Sequence, residues 1–127
     1  MQKIQSIDAL NIPEDYRKYI SEYIQNISDL PFINKVVLFG SCAKGTVTKY
    51  SDIDIFVLTS RGVSDFEETQ IAFHCLPEYS INTIPIDIIV QAESDFRSLV
   101  NSTGMVQQHV SKYGVDLSGL LHQRTGY

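Results

Sequence analysis

Two apolar, β-branched runs, Lys35-Val36-Val37-Leu38-Phe39 and Ile53-Asp54-Ile55-Phe56-Val57-Leu58, are separated by a short stretch that holds Gly40 and Gly45. Each run reads as a strand. A parallel pair needs a crossover of a dozen or more residues, usually a helix, and residues 41 to 51 leave no room for a long one. The two strands are therefore expected to be antiparallel, inside a mixed sheet with helices on it.

The second run is unusual at its head. Asp52 and Asp54 alternate along the strand, so both carboxylates point to one face, roughly 6 to 7 Å apart, where their like charges repel. A bound divalent cation turns that repulsion into attraction. Taken alone, the pair also reads as turn residues making local hydrogen bonds after Tyr50-Ser51. Upstream, the first run stops at Gly40-Ser41, and Gly45 follows Cys42-Ala43-Lys44. Such a turn brings backbone N–H groups and a small hydroxyl close to phosphate oxygens. A glycine-serine strand exit, a second glycine, Ser51 and alternating carboxylates together describe a phosphate cradle beside a metal site. A third carboxylate, Asp87, interrupts Ile84-Pro85-Ile86-Asp87-Ile88-Ile89-Val90. An ionised group in such a run is costly without a metal or a cation beside it.

At these residues the chain resembles the nucleotidyltransferase superfamily that includes DNA polymerase β. The superfamily signature is Gly-Ser, about ten residues, then Asp-x-Asp, and here it reads Gly40-Ser41, ten residues, Asp52-Ile53-Asp54. The small size looks most like the minimal nucleotidyltransferase (MNT) branch. This resemblance implies an α/β, single-domain polymerase β-like nucleotidyltransferase fold over residues 1–127, a mixed sheet flanked by helices. It makes Asp52, Asp54 and Asp87 the catalytic carboxylates and the ligands of two Mg²⁺ ions. Gly40, Ser41, Lys44, Gly45 and Ser51 become the nucleotide-binding residues, with ATP as substrate. The implied reaction moves AMP from ATP to a hydroxyl and releases pyrophosphate. Many relatives read Gly-Ser-Arg-Ala-Arg-Gly where this chain reads Gly40-Ser41-Cys42-Ala43-Lys44-Gly45, so one cation is missing and the other is a lysine.

The same resemblance implies a partner. MNT proteins often act as antitoxins of HEPN ribonuclease toxins, which they silence by adding AMP to a toxin tyrosine. Two alternatives stand beside that reading. One is a small-molecule adenylyltransferase of the aminoglycoside-modifying kind, although such relatives usually carry an extra helical domain. The other is a non-catalytic antitoxin that acts by binding alone.

Charge and composition narrow the field. A net charge of −5 argues against a stable, sequence-independent grip on nucleic acid, and a protein or small acceptor suits it better. No stretch has the form of a signal peptide or a bilayer span, so no membrane association and a cytoplasmic location are expected. Cys42 and Cys75 are too few for a disulfide scaffold or a zinc site. Cys42, following the phosphate-facing serine at a helix start, is expected to favour its thiolate and to alkylate quickly. His109 and His122 read as exposed helix or tail residues.

The remaining elements follow from caps and periodicity. Asn11-Ile12-Pro13-Glu14 has the form of a capping box, predicting a helix over about 12–28 with Tyr16, Tyr19, Tyr23 and neighbouring isoleucines packed inward. The strands are expected at about 34–40, 52–59 and 83–90, with a helical turn at 41–45. Pro85 removes one ladder donor and suggests a sheet edge or an exposed N–H position in the third strand. Ser64-Asp65-Phe66-Glu67 opens a helix reaching about Cys75, Ser94 opens another, and a last one spans about 105–113 with Gly114 as its stop. A short strand at Val115-Asp116-Leu117 and a frayed tail from Gln123 complete the expectation.

Overall fold

In the computed structural model, β2 (Ile33–Phe39) and β3 (Ile53–Thr59) pair antiparallel, from Ile33 opposite Thr59 to Phe39 opposite Asp54. The structure describes residues 1–78 and 84–121; His122, the tail from Gln123 and Thr83, the expected start of the third strand, lie outside them. β4 (Ile86–Ala92) joins β3 in parallel, and β5 (Val115–Asp116) joins the other side of β2 antiparallel. A two-residue β1 (Gln2–Lys3), which periodicity does not reveal, pairs parallel to β5. The mixed sheet has the order β1-β5-β2-β3-β4, with β4 at the edge as Pro85 suggested. This small α/β architecture is that of a polymerase β-like nucleotidyltransferase fold.

Each sheet face buries its own apolar set, because alternate residues of a strand point to opposite sides. On one face Val36, Leu38, Ile53, Ile55 and Val57 meet α1 (Glu14–Ile27), whose Ile20, Tyr23, Ile24 and Ile27 are buried at helical spacing. Burying one such side chain stabilises the fold by roughly 1.5–3 kcal/mol. The opposite face packs Val37, Phe56 and Leu58 against Phe96 of α4 (Glu93–Leu99) and Val110 of α5 (Val106–Tyr113). Phe56 meets Phe96 edge-on, with ring centroids 5.2 Å apart. Among the described residues, no helix is long and apolar enough to cross a membrane.

Several boundaries differ from expectation for local reasons. Asn11 does not cap α1: Pro13 is the cap residue, without a side-chain cap bond, because a residue before proline is pushed to extended backbone and carries Asn11 out of reach. The Ser64–Glu67 capping box forms in full and opens α3 (Asp65–Thr69), which widens into a π-helical turn over Gln70–His74. Cys75 N–H closes that turn on Gln70 O at 3.0 Å. Pro85 stands just before β4 and accepts from Ile53 N–H at 2.8 Å, and the strand runs on to Ala92 because pairing with β3 continues to Thr59. α4 starts at Glu93, one residue before Ser94. Gly114 stops α5 in extended rather than left-handed backbone; a Cβ there would lie 2.6 Å from both Val110 O and Val37 Cγ1, so close packing requires the glycine.

Candidate active site

The strand register assembles the acidic centre. Asp54 lies opposite Phe39 on β2 and directly opposite Asp87 on β4, so the two carboxylates stand side by side on one sheet face. Adjacent strands are about 4.8 Å apart. Asp52 precedes the first residue of β3. Asp54 is half-buried, whereas Asp52 and Asp87 are exposed. Burial, then the charge of Asp87, then that of Asp52 raise the Asp54 carboxyl above the usual carboxylate range. Among the described residues none of the three carboxylates takes part in an ion pair. Beyond Asp54 the Phe39, Phe56 and Phe96 rings pack together on this face.

Gly40 is fitted to Asp54. Its φ of 73° lies in the left-handed region, and a Cβ added there would come within 2.5 Å of Asp54 Oδ2. Its carbonyl accepts from Ala43 N–H and Lys44 N–H, starting the single turn of α2 (Ser41–Lys44). Ser41 leads that turn, and the leading N–H groups of a helix lack partners inside it. Gly45 closes the turn with φ 72°, its N–H on Ser41 O. Lys44 is exposed at the far end, where it and Gly45 line a hollow of about 210 Å³ walled by Leu10, Asn11 and Val115, with none of the three carboxylates in its lining.

The approach to Asp52 is a tight polar turn. Ser51 Oγ accepts from Thr48 N–H at 2.8 Å, and Ser51 N–H donates to Thr48 O at 3.1 Å. The Ser51 hydroxyl is thereby engaged within the turn. The structure also brings in a residue that the sequence offers first as packing, with partner contact as the lesser reading: Tyr16 of α1, 4 % exposed, donates from its hydroxyl to Ser51 O at 2.7 Å. A helical stripe of tyrosines carries no signal that would single out this one. Tyr19 and Tyr23 are buried as expected.

Cys42 corrects an expectation. It is 1 % exposed, and burial, followed by the charges of Asp54 and Asp52, pushes its thiol up to about 11. α2 is too short, and the carboxylates too close, for a helix start to favour the thiolate. The Cys42 thiol instead donates to Asp52 O at 3.5 Å.

The donor set fits a hard divalent cation. All three groups are carboxylate oxygens, the ligands Mg²⁺ prefers, and the raised Asp54 marks a point of negative potential that a cation would relieve. The centre is not a closed cage: among the described residues no three His, Cys, Asp or Glu side chains already converge to hold an ion.

Comparison with known proteins adds one positive finding. The family model described as a nucleotidyltransferase domain matches residues 17–112, a span that includes Gly40, Ser41 and all three carboxylates. No curated protein matches the chain.

Proposed function

Since the chain belongs to the nucleotidyltransferase domain family, we propose that it moves AMP from ATP to a hydroxyl of a partner protein in a Mg²⁺-dependent reaction. The observation that carries this reading is the Asp54–Asp87 register with Gly40 set against the Asp54 carboxylate. Asp52, Asp54 and Asp87 would hold Mg²⁺. When bound, the metal supplies Lewis-acid charge at the phosphate that is attacked. Gly40 and Ser41 offer N–H groups and a hydroxyl to the pyrophosphate end of ATP, with Lys44 and Gly45 following on the same turn and Ser51 shaping the approach to Asp52. Asp87, on the edge strand, would take the proton of an incoming hydroxyl.

The acceptor is a tyrosine of a HEPN-type ribonuclease toxin, which makes the chain the antitoxin of the pair. Its acidic balance supports a protein acceptor, as does a sheet face that offers only one wall of a pocket. The decisive experiment co-expresses the chain with such a toxin and weighs the toxin intact. AMP additions that vanish with Asp52→Asn support the reading. A toxin silenced by that variant without any modification favours action by binding alone, and label found on a small hydroxylated compound favours a small-molecule adenylyltransferase.

A further inference from the structure

Asp52 does not belong to the β ladder, which begins at Ile53. Its backbone is fixed instead by two side chains from other elements. The Tyr16 hydroxyl, on α1, donates to Ser51 O at 2.7 Å and lies 3.3 Å from Thr48 O. The Cys42 thiol, on α2, donates to Asp52 O at 3.5 Å. Consecutive carbonyls on either side of the Asp52 Cα are thus tied to donors rooted in the core, and Tyr16 and Cys42 are 4 % and 1 % exposed.

We infer that Tyr16 is a positioning residue of the acid centre: its hydroxyl holds the Thr48–Ser51 turn so that Asp52 is presented beside Asp54. The inference rests on the proposed metal-dependent chemistry for its purpose, while the tie itself is a property of the chain. A neighbouring residue provides the contrast. Tyr23, on the same helix and 0 % exposed, donates its hydroxyl to Ile71 O at 2.8 Å, in the π-helical turn away from the acidic centre. Tyr23→Phe deletes one buried hydrogen bond and Tyr16→Phe the part-buried contacts to Ser51 O and Thr48 O, and each keeps the ring. A merely structural role makes the two deletions equivalent.

The test compares Tyr16→Phe and Tyr23→Phe in the full chain, with Mn²⁺ alone as the metal probe and amide hydrogen exchange as a ligand-free readout. Both variants are expected to lose thermal stability to a similar extent. Only Tyr16→Phe should speed exchange at Ser51 and Asp52 and weaken Mn²⁺ binding, by roughly tenfold as for other groups that orient metal ligands. Cys42→Ala, which drops the second tie, should move both readouts in the same direction. Exchange at Ser51 and Asp52 that is unchanged in Tyr16→Phe, or Mn²⁺ affinity equal in the two tyrosine variants, overturns the inference. If the wild-type chain takes up no Mn²⁺, the proposed chemistry fails and the exchange comparison alone decides the tie.

Discussion

Glu93, the first residue of α4 just past the end of β4, and Asp54, near the start of β3, are acidic side chains treated in opposite ways. Glu93 is 8 % exposed and fully partnered: Arg97 at 2.9 Å, Lys35 at 3.6 Å and the Asn34 amide all converge on its carboxylate. Asp54 is half-buried and faces Asp87 and Asp52, and its carboxyl is raised as a result. A fold that can recruit two cations and an amide for Glu93 is not short of means to neutralise a carboxylate. Leaving Asp54 among like charges places a local destabilisation where a cationic ligand would remove it, which is the observation behind the proposed role of Asp54.

The contrast breaks most easily at the acid centre. Asp54→Asn is expected to lower nucleotidyl transfer at least a hundredfold, since a metal-held charge at the reacting phosphate is worth several kcal/mol. The same variant should fold at least as stably as the parent, because it removes a repelling charge. Transfer from labelled ATP and thermal melts of one preparation check both halves; retained transfer would place the chemistry elsewhere. Gly40→Ala is expected to cost about 2–3 kcal/mol, combining a left-handed backbone with a methyl aimed at Asp54 Oδ2. Chemical denaturation measures the cost, and a loss below about 0.5 kcal/mol would mean that the glycine and the carboxylate are not fitted to each other.

At the other pole, Glu93→Ala should cost about 1–2 kcal/mol through its lost charge-assisted hydrogen bonds while leaving nucleotide binding unchanged. Denaturation and ATP titration of the variant separate these effects. The smallest expected effect is in pH dependence. An acid raised in the folded state binds more protons folded than unfolded, so the Asp54 contribution falls as pH climbs through the carboxylate range. Glu67, held down to about 2 by the Arg61 guanidinium and Ser64 N–H, acts in the opposite sense and loses its contribution as pH drops toward that value. Melts of wild type and Asp54→Asn between pH 4 and pH 7 should therefore converge at the acid end, with the variant gaining on the parent as pH climbs because it lacks the opposing Asp54 contribution.

Much of this arrangement was legible in the chain itself, and the reasons divide cleanly. The short link between the apolar runs dictated the antiparallel β2–β3 pair, and strand alternation put Asp54 and Asp87 within one face once β4 paired in parallel. Gly40 was readable as a turn residue, but its contact with Asp54 depends on three-dimensional approach, which spacing does not encode. A helix start is visible in the local sequence around Cys42, whereas the burial and the carboxylates that raise its thiol come from the fold. Tyr16 was invisible as a site residue since its partner carbonyls lie on a loop remote in sequence. β1 likewise comes from its remote pairing with β5 rather than from local pattern.

The sheet order has a kinetic meaning. Phe39 and Asp54 close a short loop, Asp54 and Asp87 a longer one, and Gln2 and Val115 nearly the whole described chain. Loop-closure entropy favours these pairings in that order during folding. The cradle glycine and Asp54 therefore meet early, in a local hairpin-like nucleus, whereas Asp87 docks with a later-arriving edge strand and against the repulsion of an acid already in place. The half of the centre made by Gly40 and Asp54 is expected to form first. The half made by Asp87, on the edge strand, is expected to be the last part of the centre to form.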